Sequence, residues 1–132
     1  MGAWVAERSL LPDLIVSSTA LRARGTAAEV ARTSGCDGPV VLSEDLYMAG
    51  PAAIVEKLRA APETCETVMV VGHNPGVEDL ASLLAGRDVV MPTAALAHIR
   101  LDIDCWHQLT MSSRGELVEH QKPRELRPSG GD

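Results

Sequence analysis

Thr67-Val68-Met69-Val70-Val71-Gly72-His73-Asn74-Pro75-Gly76 is an apolar, β-branched run that ends abruptly in a turn carrying one histidine. The run is continuous rather than alternating, the pattern of a strand buried on both faces. Gly72 and Gly76 bracket the turn, and glycine lets a backbone approach a ligand closely. Asn74 suits a helix N-cap and Pro75 the first helical position. Val77, Leu80, Ala81 and Leu84 then repeat at helical spacing, with Gly86 as the stop. The stretch reads as a central strand, a turn and a helix. His73 falls between the carboxyl end of the strand and the amino end of the helix. Ligands of open α/β sheets bind at that level, and helix amino ends favour anions.

Outward from this stretch the same alternation recurs. Residues 3–10 place Ala3, Trp4, Ala6 and Leu10 on one helical face with no cap before them. Leu14-Ile15-Val16 is a short buried strand. Ser17-Ser18-Thr19 offers N-caps to a helix from Ala20 to Arg32 that stops at Ser34-Gly35. Arg22 falls in the first turn of that helix, where the dipole disfavours a cation, so it calls for a functional reason. Arg24 and Arg32 read as solvated surface. Pro39-Val40-Val41-Leu42 is another strand, with the loop Ser43-Glu44-Asp45-Leu46-Tyr47 at its carboxyl end. Gly50-Pro51 opens a helix whose Ala52, Val55 and Leu58 line one face, and Pro62 ends it.

On the carboxyl side, Ala95, Ala97, Ile99 and Leu101 alternate with Leu96, His98 and Arg100, as in a strand with one wetter face. Residues 106–111 and 116–119 read as hairpin arms around Ser112-Ser113-Arg114-Gly115. This order predicts an α/β fold. It is a three-layer α/β/α sandwich with right-handed crossovers, a mostly parallel sheet and an antiparallel edge. It forms a single domain over residues 1–122. Residues 123–132, charged and rich in Pro and Gly, read as a flexible tail.

The 132 residues suffice for one domain with a real core. Phenylalanine is absent, so that core is built from Leu, Val, Ile, Ala and Met. A net charge of −6 with no basic stripe argues against a nucleic-acid partner. No apolar run reaches the length of a membrane span, and the first residues lack the basic and long apolar regions of a signal peptide. Cys36, Cys65 and Cys105 are odd in number and far apart, which suits reduced thiols in a cytoplasm. No Walker motif follows the glycines. His107 lies two residues from Cys105, which on a strand puts both on one face. No second ligand pair is evident, and no metal site is expected. His98 and His120 read as ordinary strand or surface histidines.

Three carboxyl-end loops thus carry the chemistry: Ser17-Ser18 with Arg22, Glu44-Asp45, and His73-Asn74. A guanidinium and an imidazole converging at helix amino ends make an anion site, with Ser18 and Asn74 beside them as further binding groups. Arginine offers a planar fork matched to phosphate oxygens. An imidazole can hydrogen-bond a phosphoryl oxygen, act as acid or base, or attack phosphorus.

Here the chain resembles the histidine phosphatase superfamily, and within it the short SixA-like phosphohistidine phosphatases. The matching text runs from Leu14-Ile15-Val16-Ser17-Ser18-Thr19-Ala20-Leu21-Arg22 to Ala27, then Glu44-Asp45-Leu46-Tyr47-Met48-Ala49-Gly50, then Val70-Val71-Gly72-His73-Asn74-Pro75-Gly76, then Pro92-Thr93-Ala94-Ala95-Leu96-Ala97. The resemblance implies a phosphoglycerate mutase-like fold. It makes Arg22 a phosphate-binding arginine and His73 the second active-site histidine, and puts Asp45, or less so Glu44, where larger members carry a proton donor. It implies no cofactor and no metal. The substrate it implies is a phosphoprotein, such as phosphohistidine on a phosphotransfer domain, or a small phosphomonoester. A mutase of the same superfamily fits less well, because the chain is small and lacks insertions.

The chain departs from this family at its front. Gly25 stands where glutamine is usual. The family's nucleophile is a histidine in an Arg-His-Gly motif after the first strand, and this chain has no histidine before His73. Its first strand, nucleophile loop and half a helix are expected to be missing, through a late start codon, a fragment or a true pseudoenzyme. Two functions follow. One is a phosphohistidine phosphatase working through a phosphohistidine intermediate, inactive as given. The other is a non-catalytic phosphate- or phosphoprotein-binding pseudoenzyme. In the family the first strand lies beside the strand that bears His73. Its loss is expected to leave that strand open to aggregation or strand exchange between two copies.

Overall fold

The computed structural model describes residues 11–36, 38–92 and 95–122. The expected helix over residues 3–10 and the tail over 123–132 lie outside them. The order of elements is β1 (Leu14–Ser18), α1 (Leu21–Ser34), β2 (Val40–Ser43), α2 (Pro51–Arg59), β3 (Val68–Val71), α3 (Gly76–Ala85), β4 (Leu96–Leu101) and β5 (Gly115–Gln121). Two short 3₁₀ turns, Glu44–Leu46 and Trp106–Gln108, complete it.

The strands form a parallel sheet in the order β2-β1-β3 and a separate antiparallel pair β4-β5. β1 is the middle strand, and all five of its residues are buried. Leu14 and Val16 point into one core with Ile54, Val55 and Leu58 of α2 and Leu80 and Leu84 of α3. Ile15 points the other way, against Ala27 and Val30 of α1. Helices thus cover both faces of the sheet, which gives the α/β/α layering. Each helix stops where the backbone turns left-handed on a glycine or runs out of apolar face. Gly35 (φ 75°) ends α1 and Gly86 (φ 71°) ends α3.

Several expectations are corrected. β3, expected at the centre, is an edge of its sheet among the described residues, and its four residues are only half-buried. An apolar run shows that a strand is buried, not which strands flank it. The expected antiparallel part is present as β4 with β5, and β4 replaces residues 106–111 as the partner of the second arm. Tertiary contacts take the expected first arm: Trp106 Nε1 donates to the Cys65 carbonyl (2.7 Å), and Leu109 is fully buried. In α2 the buried face is Ile54, Val55 and Leu58, while Ala52 is exposed. No Ser or Thr side chain caps α1, whose N-cap is Ala20.

Asp13 ties the amino ends of β1 and β3 together. Its backbone N–H donates to the Thr67 carbonyl (2.7 Å). Its carboxylate accepts from the N–H groups of Glu66 (2.8 Å) and Thr67 (3.0 Å). These bonds, Thr67 first and then Glu66, hold its pKa below the usual carboxylate value. A depressed folded pKa contributes stability above the unfolded value and loses it as pH falls through the folded one. Asp13→Ala is therefore expected to lower Tm at neutral pH. The gap from wild type should narrow as pH falls below the ordinary carboxylate range. Thermal melts across an acid pH series check this.

Candidate active site

β1 delivers two serines to its carboxyl end, and both are fully buried. Buried hydroxyls need partners. Ser17 Oγ donates to the Ser18 carbonyl (2.9 Å). Ser18 Oγ accepts from the Ala20 N–H (3.2 Å) and sits 2.8 Å from His73 Nε2. The ring of Tyr47 packs edge-on to His73, with centroids 5.6 Å apart. One histidine on the β3–α3 loop is thus held from two sides, by the end of β1 and by the chain after β2.

The loop itself is pinned to the rest. Asn74 Nδ2 donates to the Met91 carbonyl, and Asn74 Oδ1 accepts from the Glu78 N–H (3.3 Å). Glu78 Oε2 in turn accepts from the Met91 N–H (2.8 Å). Asn74 therefore lies outside α3, which begins at Gly76 after Pro75 as N-cap, and its amide holds the turn to the segment before β4. Gly76 is required for a different reason from the one its sequence suggested. A Cβ there would land on the Ala49 carbonyl oxygen, so this glycine admits a neighbouring loop rather than a ligand.

Arg22 stands exposed in the first turn of α1, which holds no acidic residue. Arg22 and His73 line one cavity of about 450 Å³. One wall is β3 and its loop, from Thr67 to Asn74; the facing wall is β4, from Ala95 to Ile99. Ala23 and Thr26 of α1 and Val77, Leu80 and Leu84 of α3 line it from the helices. Ser18 reaches the cavity through His73. Asp45 and Glu44 are not among its lining residues. Asp45 Oδ2 lies 3.2 Å from Lys57 Nζ on α2, with the carboxylate exposed and the lysine partly buried. The structure thus gathers Arg22, His73, Ser18 and Asn74 and turns Asp45 elsewhere.

His98, read from sequence as an ordinary strand histidine, lines the same cavity, and its Nδ1 is buried with no partner among the described residues. Tyr47 and the Glu78–Met91 bond were missed as well. Only the position of Tyr47 in a strand-end loop hinted at the first, and nothing local signals the second. His120 is spent structurally: its Nε2 donates to the Val90 carbonyl (2.8 Å).

No family model matches the chain. An uncharacterized protein of Mycobacterium tuberculosis is 32% identical over 111 residues, spanning 76% of this chain and 68% of that protein. An uncharacterized Mycobacterium leprae protein is 28% identical over 133 residues, spanning 93% and 79%. Among solved structures, the SixA protein of Agrobacterium tumefaciens matches with a TM-score of 0.76 at 28% identity, over 92% of this chain and 75% of that one. The SixA protein of Nakamurella multipartitia matches at 0.75 and 26%, over 92% and 76%. The protein histidine phosphatase SixA complexed with tungstate matches at 0.77 and 22%, over 96% and 78%.

The chain has the SixA-like histidine phosphatase fold. It belongs to one family with the Mycobacterium tuberculosis protein. In this SixA-like chain the loop that bears His73 depends on Gly76 for its fit against Ala49. Gly76→Ala is expected to destabilise the fold by about 1–3 kcal/mol, the usual cost of overpacking. It should also loosen His73 from Ser18. Denaturant melts and the line width of the His73 ring resonances check both.

Proposed function

We propose that this SixA-like chain is the body of a phosphohistidine phosphatase, with the shared cavity of Arg22 and His73 as its phosphoryl site. The observation that carries this reading is the fixed pair Ser18–His73 beside an arginine placed, against the helix dipole, at the same cavity. Arg22 presents a fork to two phosphoryl oxygens, and His73 hydrogen-bonds a third. Both neutralise charge as it spreads over the oxygens in transfer. Asn74 keeps the loop in place and Ser18 keeps the ring in place.

The attacking group is a histidine that this sequence does not supply before His73. Ser18 holds His73, and by resemblance to the family the ring sits beside the phosphoryl group, where it binds oxygens rather than attacking in line. In the proposed reaction a histidine nitrogen bonds to phosphorus as the substrate's phosphorus–nitrogen bond breaks and the departing imidazole takes a proton. Water then releases phosphate from the enzyme. The cavity between β3 and β4 is the place for the strand that brings this histidine. The edge of β3 left without a partner among the described residues borders it, and Val68, Met69, Val70 and Val71 carry no charge. By itself the chain is proposed to be inactive and prone to strand exchange between two copies. The cavity has no insertion closing over it, which suits a protein-borne phosphoryl group better than a small phosphomonoester. Three free cysteines fit a cytoplasmic setting. Without the nucleophile, the same Arg22–His73 pair suits a phosphate- or phosphoprotein-binding pseudoenzyme.

One experiment separates the two. The 132-residue chain is compared with a version extended at its amino end by an apolar strand and Arg-His-Gly, and phosphate release from a phosphohistidine protein is measured. The short chain should release none. The extended chain should turn over, and Arg22→Ala or His73→Ala in it should cost about 10²–10³-fold, as for other groups that bind developing charge. His120→Ala should change little. Asp45→Asn with unchanged turnover assigns Asp45 to its pair with Lys57. An extended, folded chain that binds phosphate without turnover establishes the binding module instead.

A further inference from the structure

On the opposite end of the sheet from His73, three residues of three different types meet. Cys105 precedes the second 3₁₀ turn as its N-cap, His107 lies within it, and Glu63 comes from the loop between α2 and β3. His107 Nδ1 lies 2.9 Å from Glu63 Oε1, and His107 Nε2 lies 3.5 Å from Cys105 Sγ. One donor atom from each residue lies within 4.8 Å of the other two.

We propose that Glu63, Cys105 and His107 form a three-ligand site for a divalent zinc-type cation. The donor set is a thiolate, an imidazole and a carboxylate, which together select a borderline-soft cation over magnesium or calcium. The spacing fits. With a Zn–S bond of about 2.3 Å and a Zn–N bond of about 2.0–2.1 Å, a tetrahedron has an S···N edge of about 3.5 Å. That is the separation of Cys105 Sγ and His107 Nε2. Glu63 and His107 are exposed, so rotation of the Glu63 side chain from Nδ1 toward the thiol closes the third edge. Water takes the fourth corner.

Charge favours the same occupant. The carboxylates of Glu63 and Asp104 stand near the Cys105 sulfur, and negative charge there attracts a cation. Binding forms the sulfur–metal bond, and the thiol proton leaves to solvent. The cation would also staple two parts of the fold. Trp106 Nε1 already donates to the Cys65 carbonyl, so the site reinforces an existing clamp between the loop before β3 and the connection from β4 to β5. Those two segments flank the cavity at Thr67 and Trp106.

The test is zinc titration of the reduced full chain, with cobalt as a spectroscopic probe. One zinc per chain should bind, raise Tm and protect Cys105 from alkylation. Cobalt should give a thiolate charge-transfer band. Cys105→Ser should abolish that band, and His107→Ala and Glu63→Gln should each weaken zinc binding by about tenfold or more. All three positions are at least partly exposed, so the variants should keep the circular dichroism of the wild type. Absence of saturable zinc binding overturns the site. So does binding that is unchanged in Cys105→Ser, because the metal then sits on other histidines.

Discussion

Everything in this fold leans on β1. It is the one described strand with a neighbour on each side, β2 and β3, and the one whose residues are all buried. Its alternation feeds both cores at once, Leu14 and Val16 to one and Ile15 to the other. The cost of that position falls on its last two residues. Ser17 and Ser18 are polar and wholly buried, and each needs a partner. Ser17 finds the Ser18 carbonyl. Ser18 finds His73, so the same constraint that buries the strand fixes the histidine of the neighbouring loop.

How far the sequence revealed this depends on where each contact comes from. Leu14-Ile15-Val16 is apolar on consecutive positions, and burial on both faces follows directly. Arg22 stood out because a cation in a first helical turn opposes the dipole, and the structure does put it at the cavity. His73 stood out because strand end, turn and helix start meet at one residue. What stayed hidden was decided by distant partners. Whether Val68–Val71 is central or at an edge is a question of sheet order, on which its own residues are silent. Residues 106–109 look strand-like until Cys65 and Arg59 supply partners for Trp106 Nε1 and the Leu109 carbonyl. Cys105 and His107 lacked a third ligand in sequence, since Glu63 lies more than forty positions away.

The β3–α3 loop shows how a site is stiffened without being consumed. Its anchors are Asn74 to Met91, Glu78 to Met91, Gly76 under Ala49, and Ser18 on the ring. None of them uses Arg22, which forms no ion pair among the described residues. The held imidazole and the exposed guanidinium therefore line the same cavity. In the function proposed above, a donor fixed in advance such as the His73 ring needs no reorganisation as charge develops. Asp45 illustrates the opposite case. A carboxylate beside Arg22 would quench it, and the fold gives Asp45 to Lys57 instead.

The cavity between β3 and β4 joins stability to chemistry. Both walls are strand edges: β3 pairs with β1 alone and β4 with β5 alone among the described residues. Their outward N–H and C=O groups must be met by water or by another backbone, because an orphaned buried amide costs about 1–3 kcal/mol. The lining from α3 is apolar, so water is a poor long-term occupant there and an extended chain a good one. In the function proposed above, a strand laid parallel to β3 ends level with Ser17 and Val71, whose register sets the carboxyl end of the sheet. The residue that follows it then meets Arg22 and His73. Filling the sheet and completing the phosphoryl site become one event.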